Sequence, residues 1–204
     1  YTLTLDGVDG CSYRFITGTY WFGGGKVVVG SGVRPLSDAQ ATSGWWKFGV
    51  YSGPDPEFVF KSGSSFEPLN ADIFNLVKKM SFEGSATLAP SAPTDIAVKE
   101  LTGAPTLGAN VSSLTVNDLY AIRRADAVAG RYLDCPGTLT FGVGAKIGAD
   151  DASGLADMIA FHAAGGVSGA PLTADSIRAA QLRVKPLDAK TWTFQGAGLL
   201  LLVR

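Results

Sequence analysis

Apolar and polar residues alternate with a period of two over several short stretches, the spacing that gives a strand one buried and one solvated side. Residues 1–6 alternate in this way, and Asp6-Gly7-Val8-Asp9-Gly10 supplies turn chemistry. Residues 12–22 are β-branched and aromatic, and Gly23-Gly24-Gly25 leads into the valine-rich segment 26–30. That order predicts a hairpin over 12–30. Segments 45–51 and 57–61 predict a second hairpin about Ser52-Gly53-Pro54-Asp55-Pro56, where each proline fits only a loop or a strand edge. Segments 138–143, 181–185 and 191–194 alternate again. Residues 199–203 are apolar on both sides, which suits the middle of a sheet or an interface.

A helical period shows at three places. Over 70–80, Asn70 can cap the first turn, Asp72 suits the positive dipole end, and Lys78 and Lys79 suit the negative end. Ile73, Phe74, Val77 and Met80 would share one face there. Over 116–129, Asn117 caps, Leu119, Ile122 and Ala125 share a face, and Gly130 ends the helix. Residues 153–164 fit either state: Leu155, Met158, Ile159 and His162 as a helix, Ile159, Phe161 and Ala163 as a strand. Together these patterns predict a mainly β fold, an antiparallel β-sandwich or β-barrel with two or three short helices in the connections. No internal repeat and no low-complexity tract is visible.

Composition narrows the picture. The 204 residues suit a single β-rich domain spanning 1–204. Thirteen of the aromatic residues lie in 1–66 and eight in 71–204, whereas 24 alanines follow residue 70 and only Ala39 and Ala41 precede it. Twenty-six glycines and 10 prolines argue for many turns and against a long helical bundle. Charged residues make up 17%, below the roughly 25% of an average domain. Mean hydropathy is +0.19, yet no apolar run approaches the ~20 residues of a membrane helix, so membrane insertion is not expected. Seventeen basic against 18 acidic residues, scattered, leave no basic face or arm for nucleic acid. The chain opens on Tyr1 and alternates at once, so it reads as a domain excised from a longer polypeptide. Two cysteines, Cys11 and Cys135, do not make a disulfide scaffold, and partly buried free thiols are the favoured state.

Catalytic chemistry is sparse. His162 is the only histidine, so any His-dependent triad or metal site must use it, and its apolar neighbours favour a structural or surface role. Zinc lacks any close ligand pair. Gly142-Val143-Gly144-Ala145-Lys146-Ile147-Gly148 misses the dinucleotide spacing at Ile147 and reads as a glycine-rich turn. Asp150-Asp151-Ala152-Ser153-Gly154 does not match an EF-hand and reads as capping residues. Glu57 is the one glutamate placed on a strand beside aromatic rings, and it has no evident carboxylate partner for glycoside hydrolysis. Asn110-Val111-Ser112 satisfies the glycosylation sequon, and Pro90-Ser91-Ala92-Pro93 reads as a loop between strands. No catalytic residue, metal or cofactor is therefore expected.

The aromatic clusters are more informative. Neighbouring side chains on a strand face opposite ways, so Trp45 and Trp46 cannot both enter a one-sided core. Exposed rings mark a sugar platform, a partner surface or a dimer interface. The candidate ligand or receptor residues are Tyr20, Trp21, Trp45, Trp46, Tyr51 and Asp55. With alternating strands such as 191–194 and loops such as 23–25, the chain resembles the outward-facing spike domains of viral capsid proteins of astrovirus and hepatitis E-like type. The resemblance implies a dimeric β-barrel that meets a host receptor. The expected function is a non-enzymatic structural and attachment domain, at a virion surface or otherwise extracellular. Its expected partners are itself, as homodimer or higher oligomer, and a host receptor or glycan. The alternative is a carbohydrate-active β-sandwich module, either a lectin-like binder or a glycosidase.

Overall fold

The computed structural model describes residues 2–6, 12–15, 25–37, 55–68, 74, 77–127, 131–173 and 182–195. Alternation does produce strands here, and the protein is mainly β. The strands, however, stack in parallel on segments about 20 to 30 residues away rather than folding back on their neighbours. Three walls result.

The first wall holds β1 (Thr2–Leu5), β3 (Lys26–Val29), β5 (Glu57–Phe60), β7 (Lys79–Phe82), the second halves of β9 (Thr94–Thr102) and β11 (Val111–Ile122), β14 (Lys146–Ala149) and β17 (Leu172–Thr173). The second wall holds the first halves of β9 and β11 with β13 (Thr138–Phe141) and β16 (Gly166–Ser168). The third runs from β2 (Ser12–Phe15) and β4 (Arg34–Ser37) through β6 (Ser65–Phe66), β8 (Thr87–Leu88) and β10 (Thr106–Leu107) to β12 (Arg131–Cys135) and β15 (Ile159–Ala163). From β9 onward the chain visits the second, first and third walls in turn, which is the path of a parallel β-solenoid. The hairpin of β18 (Arg183–Pro186) and β19 (Thr191–Gln195) then adds antiparallel strands beside β15.

Stacking puts register partners in columns. Val27, Phe58, Met80, Leu101, Tyr120 and Ile147 form one interior column on the first wall, and all are buried. Val29, Phe60 and Phe82 form a second, with the rings of Phe60 and Phe82 stacked nearly parallel, 4.7 Å between centroids. Strand spacing in a sheet is about 4.8 Å, so equivalent rings in adjacent coils meet face to face. Tyr120, Tyr132, Phe141, Phe161, Trp192 and Phe194 fill the later coils. Outside, the column Lys26, Glu57, Lys79, Glu100 alternates in sign, with ion pairs at 2.9 Å (Lys26–Glu57) and 2.6 Å (Lys79–Glu100). At one corner Gly103 has a φ of +86°, and a Cβ there would lie 2.0 Å from the Phe82 carbonyl oxygen, so only glycine fits.

Several sequence expectations are corrected. The antiparallel sandwich or barrel gives way to parallel stacking, with antiparallel pairs among the described residues only at β15–β19 and β18–β19. Alternating burial does not by itself imply antiparallel sheets, because a solenoid gives parallel strands one wet side as well. The 12–30 hairpin is not formed: β2 pairs with β4, and β3 lies between β1 and β5. The partner segment of the second hairpin, 45–51, lies outside the described residues, and β5 pairs in parallel with β3 and β7. No α-helix occurs among the described residues; Arg124–Asp126 forms a single 3-10 turn. Residues 70–73 and 75–76 lie outside the described residues, and Lys79 and Met80 belong to β7. The 116–129 segment is strand up to Ile122, and of the expected helical face Leu119, Ile122 and Ala125 only Ile122 is buried; register shifts in β11 space its buried residues at Leu114, Val116, Tyr120 and Ile122 instead. Over 153–164 the strand alternative is realised as β15. Segment 199–203 and Cys11 lie outside the described residues, while Cys135 is a buried free thiol that burial pushes above its ordinary pKa.

Candidate functional site

Coil stacking gathers polar side chains on the outer side of the third wall. Asp134 on β12 is the register partner of His162 on β15, which in turn faces Thr191 on β19. His162 Nδ1 lies 2.7 Å from Asp134 Oδ1, and Arg131 Nη1 lies 2.9 Å from Asp134 Oδ2 and 3.2 Å from His162 Nδ1. An ionised carboxylate only accepts, so His162 Nδ1–H donates to Asp134. Arg131 then donates to Asp134 and adjoins the imidazole edge. Partial burial works against the Asp134 charge, but the His162 hydrogen bond and the Arg131 charge outweigh it and hold the carboxyl below its usual range.

Asp188, in the turn between β18 and β19, accepts the backbone N–H groups of Lys190 at 2.7 Å and Thr191 at 2.8 Å. The Lys190 amide is the main cause of its lowered pKa; desolvation opposes it, and the Thr191 amide adds to the lowering. A His–Asp pair is the base and its orienting partner in a nucleophilic triad. Here Thr191 is the register partner of His162, and its backbone N–H is engaged by Asp188. The row therefore offers fixed donors and acceptors without a completed nucleophile among the described residues.

A second cluster sits at the corner between the first and third walls. The Asp126 side chain is only 3% exposed; its Oδ1 accepts the Gly84 N–H at 3.1 Å, and Oδ2 has no hydrogen-bond donor, with Arg123 Nε 3.6 Å away. Burial pushes the Asp126 carboxyl up, and the Gly84 amide and Arg123 offset part of that. Glu83 pairs with Lys61 at 2.8 Å and lies 3.8 Å from Arg123. Two carboxyls on one guanidinium suggest a glycosidase pair, but Asp126 is sealed from any sugar, and a general acid must touch its substrate. Asp150 accepts the Arg124 and Asp151 N–H groups, and Asp151 accepts both donors of Ser153, so these aspartates cap turns. No group of three metal-ligating side chains occurs among the described residues.

No family model, curated protein or solved structure matches this chain. The reading therefore rests on its own residues. Of the candidates named from sequence, Asp55 is paired with Lys99, whose ammonium is held above its usual range chiefly by that hydrogen bond. Tyr20, Trp21, Trp45, Trp46 and Tyr51 lie outside the described residues. Glu57 is paired with Lys26, the 142–145 segment is the turn between β13 and β14, and 90–93 is a loop before β9. The Asn110 amide donates to the Pro90 carbonyl across one coil. Sequence reasoning passed over Arg131, Asp134 and Asp188. Asp134 and His162 stand 28 positions apart, and only the register of β12 on β15 makes them neighbours.

Proposed function

We propose that this chain is a non-enzymatic attachment domain, a rigid β-solenoid that self-associates and presents its outer walls to a receptor or glycan. The observation that carries this reading is the Arg131–Asp134–His162 row, fixed by hydrogen bonds beside Thr191 on a wall whose other side is packed core. Such a row matches the alternating donors and acceptors of sugar hydroxyls or a polar protein loop, and a solenoid holds it without a folding cost on binding. The setting we propose is the surface of a virion or another extracellular face, as the composition and low charge suggest. Aromatic stacking by Tyr20, Trp21, Trp45, Trp46 and Tyr51 would complement the row. Binding without hydrolysis is favoured because the one crowded carboxyl, Asp126, is closed off from ligand.

A glycan array combined with cell binding of the purified chain tests this. Arg131→Ala and His162→Ala are expected to weaken attachment at least about tenfold while the unfolding midpoint stays close to that of the native protein. Both side chains lie on the wet side of the wall, so their loss leaves the core intact. Full binding by both variants, or turnover of a bound glycan, overturns the reading.

A further inference from the structure

We propose that the attachment site takes an acidic glycan, one bearing sulfate or carboxylate groups, laid across the strands from Arg131 on β12 to Arg183 and Lys185 on β18. This rests on the attachment reading above and names the chemistry of its ligand. The four strands lie side by side in the order β12, β15, β19, β18. Register sets Arg131 beside Ile159, Ile159 beside Thr193, and Thr193 beside Lys185. Tyr132 and Leu133 are both buried, as are Ala160 and Phe161, so an irregularity in each strand returns Arg131 and Ile159 to the outer side. On β19, Trp192 and Phe194 enter the core, which turns Thr193 outward, and its partner Lys185 with it. One outward row therefore crosses four strands next to Asp134 and His162, and its ends are about 14 Å apart at about 4.8 Å per strand.

Charge selects an anion. Lys26, Lys61, Lys79 and Lys99 on the earlier coils each hold a carboxylate. Arg183 and Lys185 are exposed and hold none among the described residues, and Lys190 in the turn of the same hairpin is likewise exposed without one. Residues two apart on a strand share a side, so Arg183 and Lys185 stand together, about 6.8 Å apart, at one end of the row. At the other end both contacts of Arg131 use Nη1, which leaves its other N–H groups for a ligand. The neighbouring carboxylates are already engaged, Asp134 by Arg131 and His162, Asp188 by the amides of Lys190 and Thr191. Between the cationic ends, Ile159 supports the C–H side of a sugar ring, and the Gln195 amide, beside Arg183, offers a donor and an acceptor to hydroxyls. Nucleic acid, the other common polyanion, stacks its bases on aromatic rings, and both rings of β19 are turned into the core.

Surface plasmon resonance of the purified full chain on immobilised heparin, hyaluronan and dextran oligosaccharides tests this. Heparin carries sulfate and carboxylate, hyaluronan carboxylate only, and dextran neither, so the three arms separate the acid groups from uncharged sugar. Binding to heparin, to hyaluronan or to both, but not to dextran, is expected. Raising salt from about 50 to about 300 mM should weaken it at least about tenfold. Arg183→Thr combined with Lys185→Thr is expected to weaken it at least about tenfold, whereas Lys146→Thr, at an exposed lysine on the first wall, leaves it unchanged. All three side chains are exposed, so the unfolding midpoints of these variants should match that of the native protein. Full binding by the double variant, an equal loss with Lys146→Thr, equal binding to dextran, or tighter binding of a thymidine oligonucleotide of matched length overturns the acidic glycan at this site. Attachment to cells with no binding to heparin or hyaluronan also overturns it and leaves the attachment reading standing. Absence of binding to all three sugars and to cells overturns that reading itself.

Discussion

Asp126 is the residue at which burial and charge conflict most directly. Its carboxyl is sealed at a coil corner with one oxygen lacking a donor, and burial raises its pKa in the folded protein. The native state then holds this proton more tightly than the unfolded chain does. Its contribution to stability is present below the unfolded pKa, about 4, and is lost as the pH rises through the folded value. Asp126→Asn keeps the acceptor for Gly84 and removes the charge. Its stability relative to the native protein is therefore expected to increase between about pH 4 and about pH 7. Urea denaturation at both pH values measures this, and a difference that does not change with pH contradicts it. Asp134 carries the opposite sign, a lowered carboxyl whose contribution disappears on acidification, but it is exposed and the effect is small.

At the scale of elements, stability lies inside the coils rather than on their charged exterior. Phe82→Ala on β7 removes a fully buried ring stacked on Phe60 and is expected to cost about 3 to 5 kcal/mol. A double-mutant cycle on Lys79 and Glu100, one coil further along the outer column, is expected to show coupling of about 1 kcal/mol or less, falling with salt. Chemical denaturation checks both, and a coupling comparable to the Phe82 loss would reverse this order. The strands themselves were legible because period-two alternation is a local property: residues 26–29, 138–141 and 191–195 read correctly. Residues 116–122 did not. Their register shifts come from fitting β11 onto β9, and sequence periodicity contains no record of a neighbour's register.

The whole molecule behaves as a stack in which each coil is stabilised by the coils on either side. Backbone groups of β9, β11 and β13, with partners on both edges, are expected to exchange hydrogen slowest. Those of β18, at a sheet edge among the described residues, should exchange fastest. Native-state hydrogen exchange reads this gradient directly; uniform protection from β9 to β18 would mean that the coils unfold as one unit. The coils also explain why no repeat was visible. Successive members of the first wall start at residues 2, 26, 57 and 79, so spacing varies while the register of the stacked strands is kept. Variable corners absorb the difference, and a search for a fixed period has nothing to find.

The sequence by itself determined that the protein is mainly β and where strands such as β3, β13 and β19 fall, because alternation and turn chemistry act over a few residues. Tertiary structure alone decided that the strands run parallel, that Lys and Glu alternate up one wall, and that Asp134 meets His162. Those facts depend on which distant segments stack in register, and that is set by the summed fit of whole coils rather than by any local pattern.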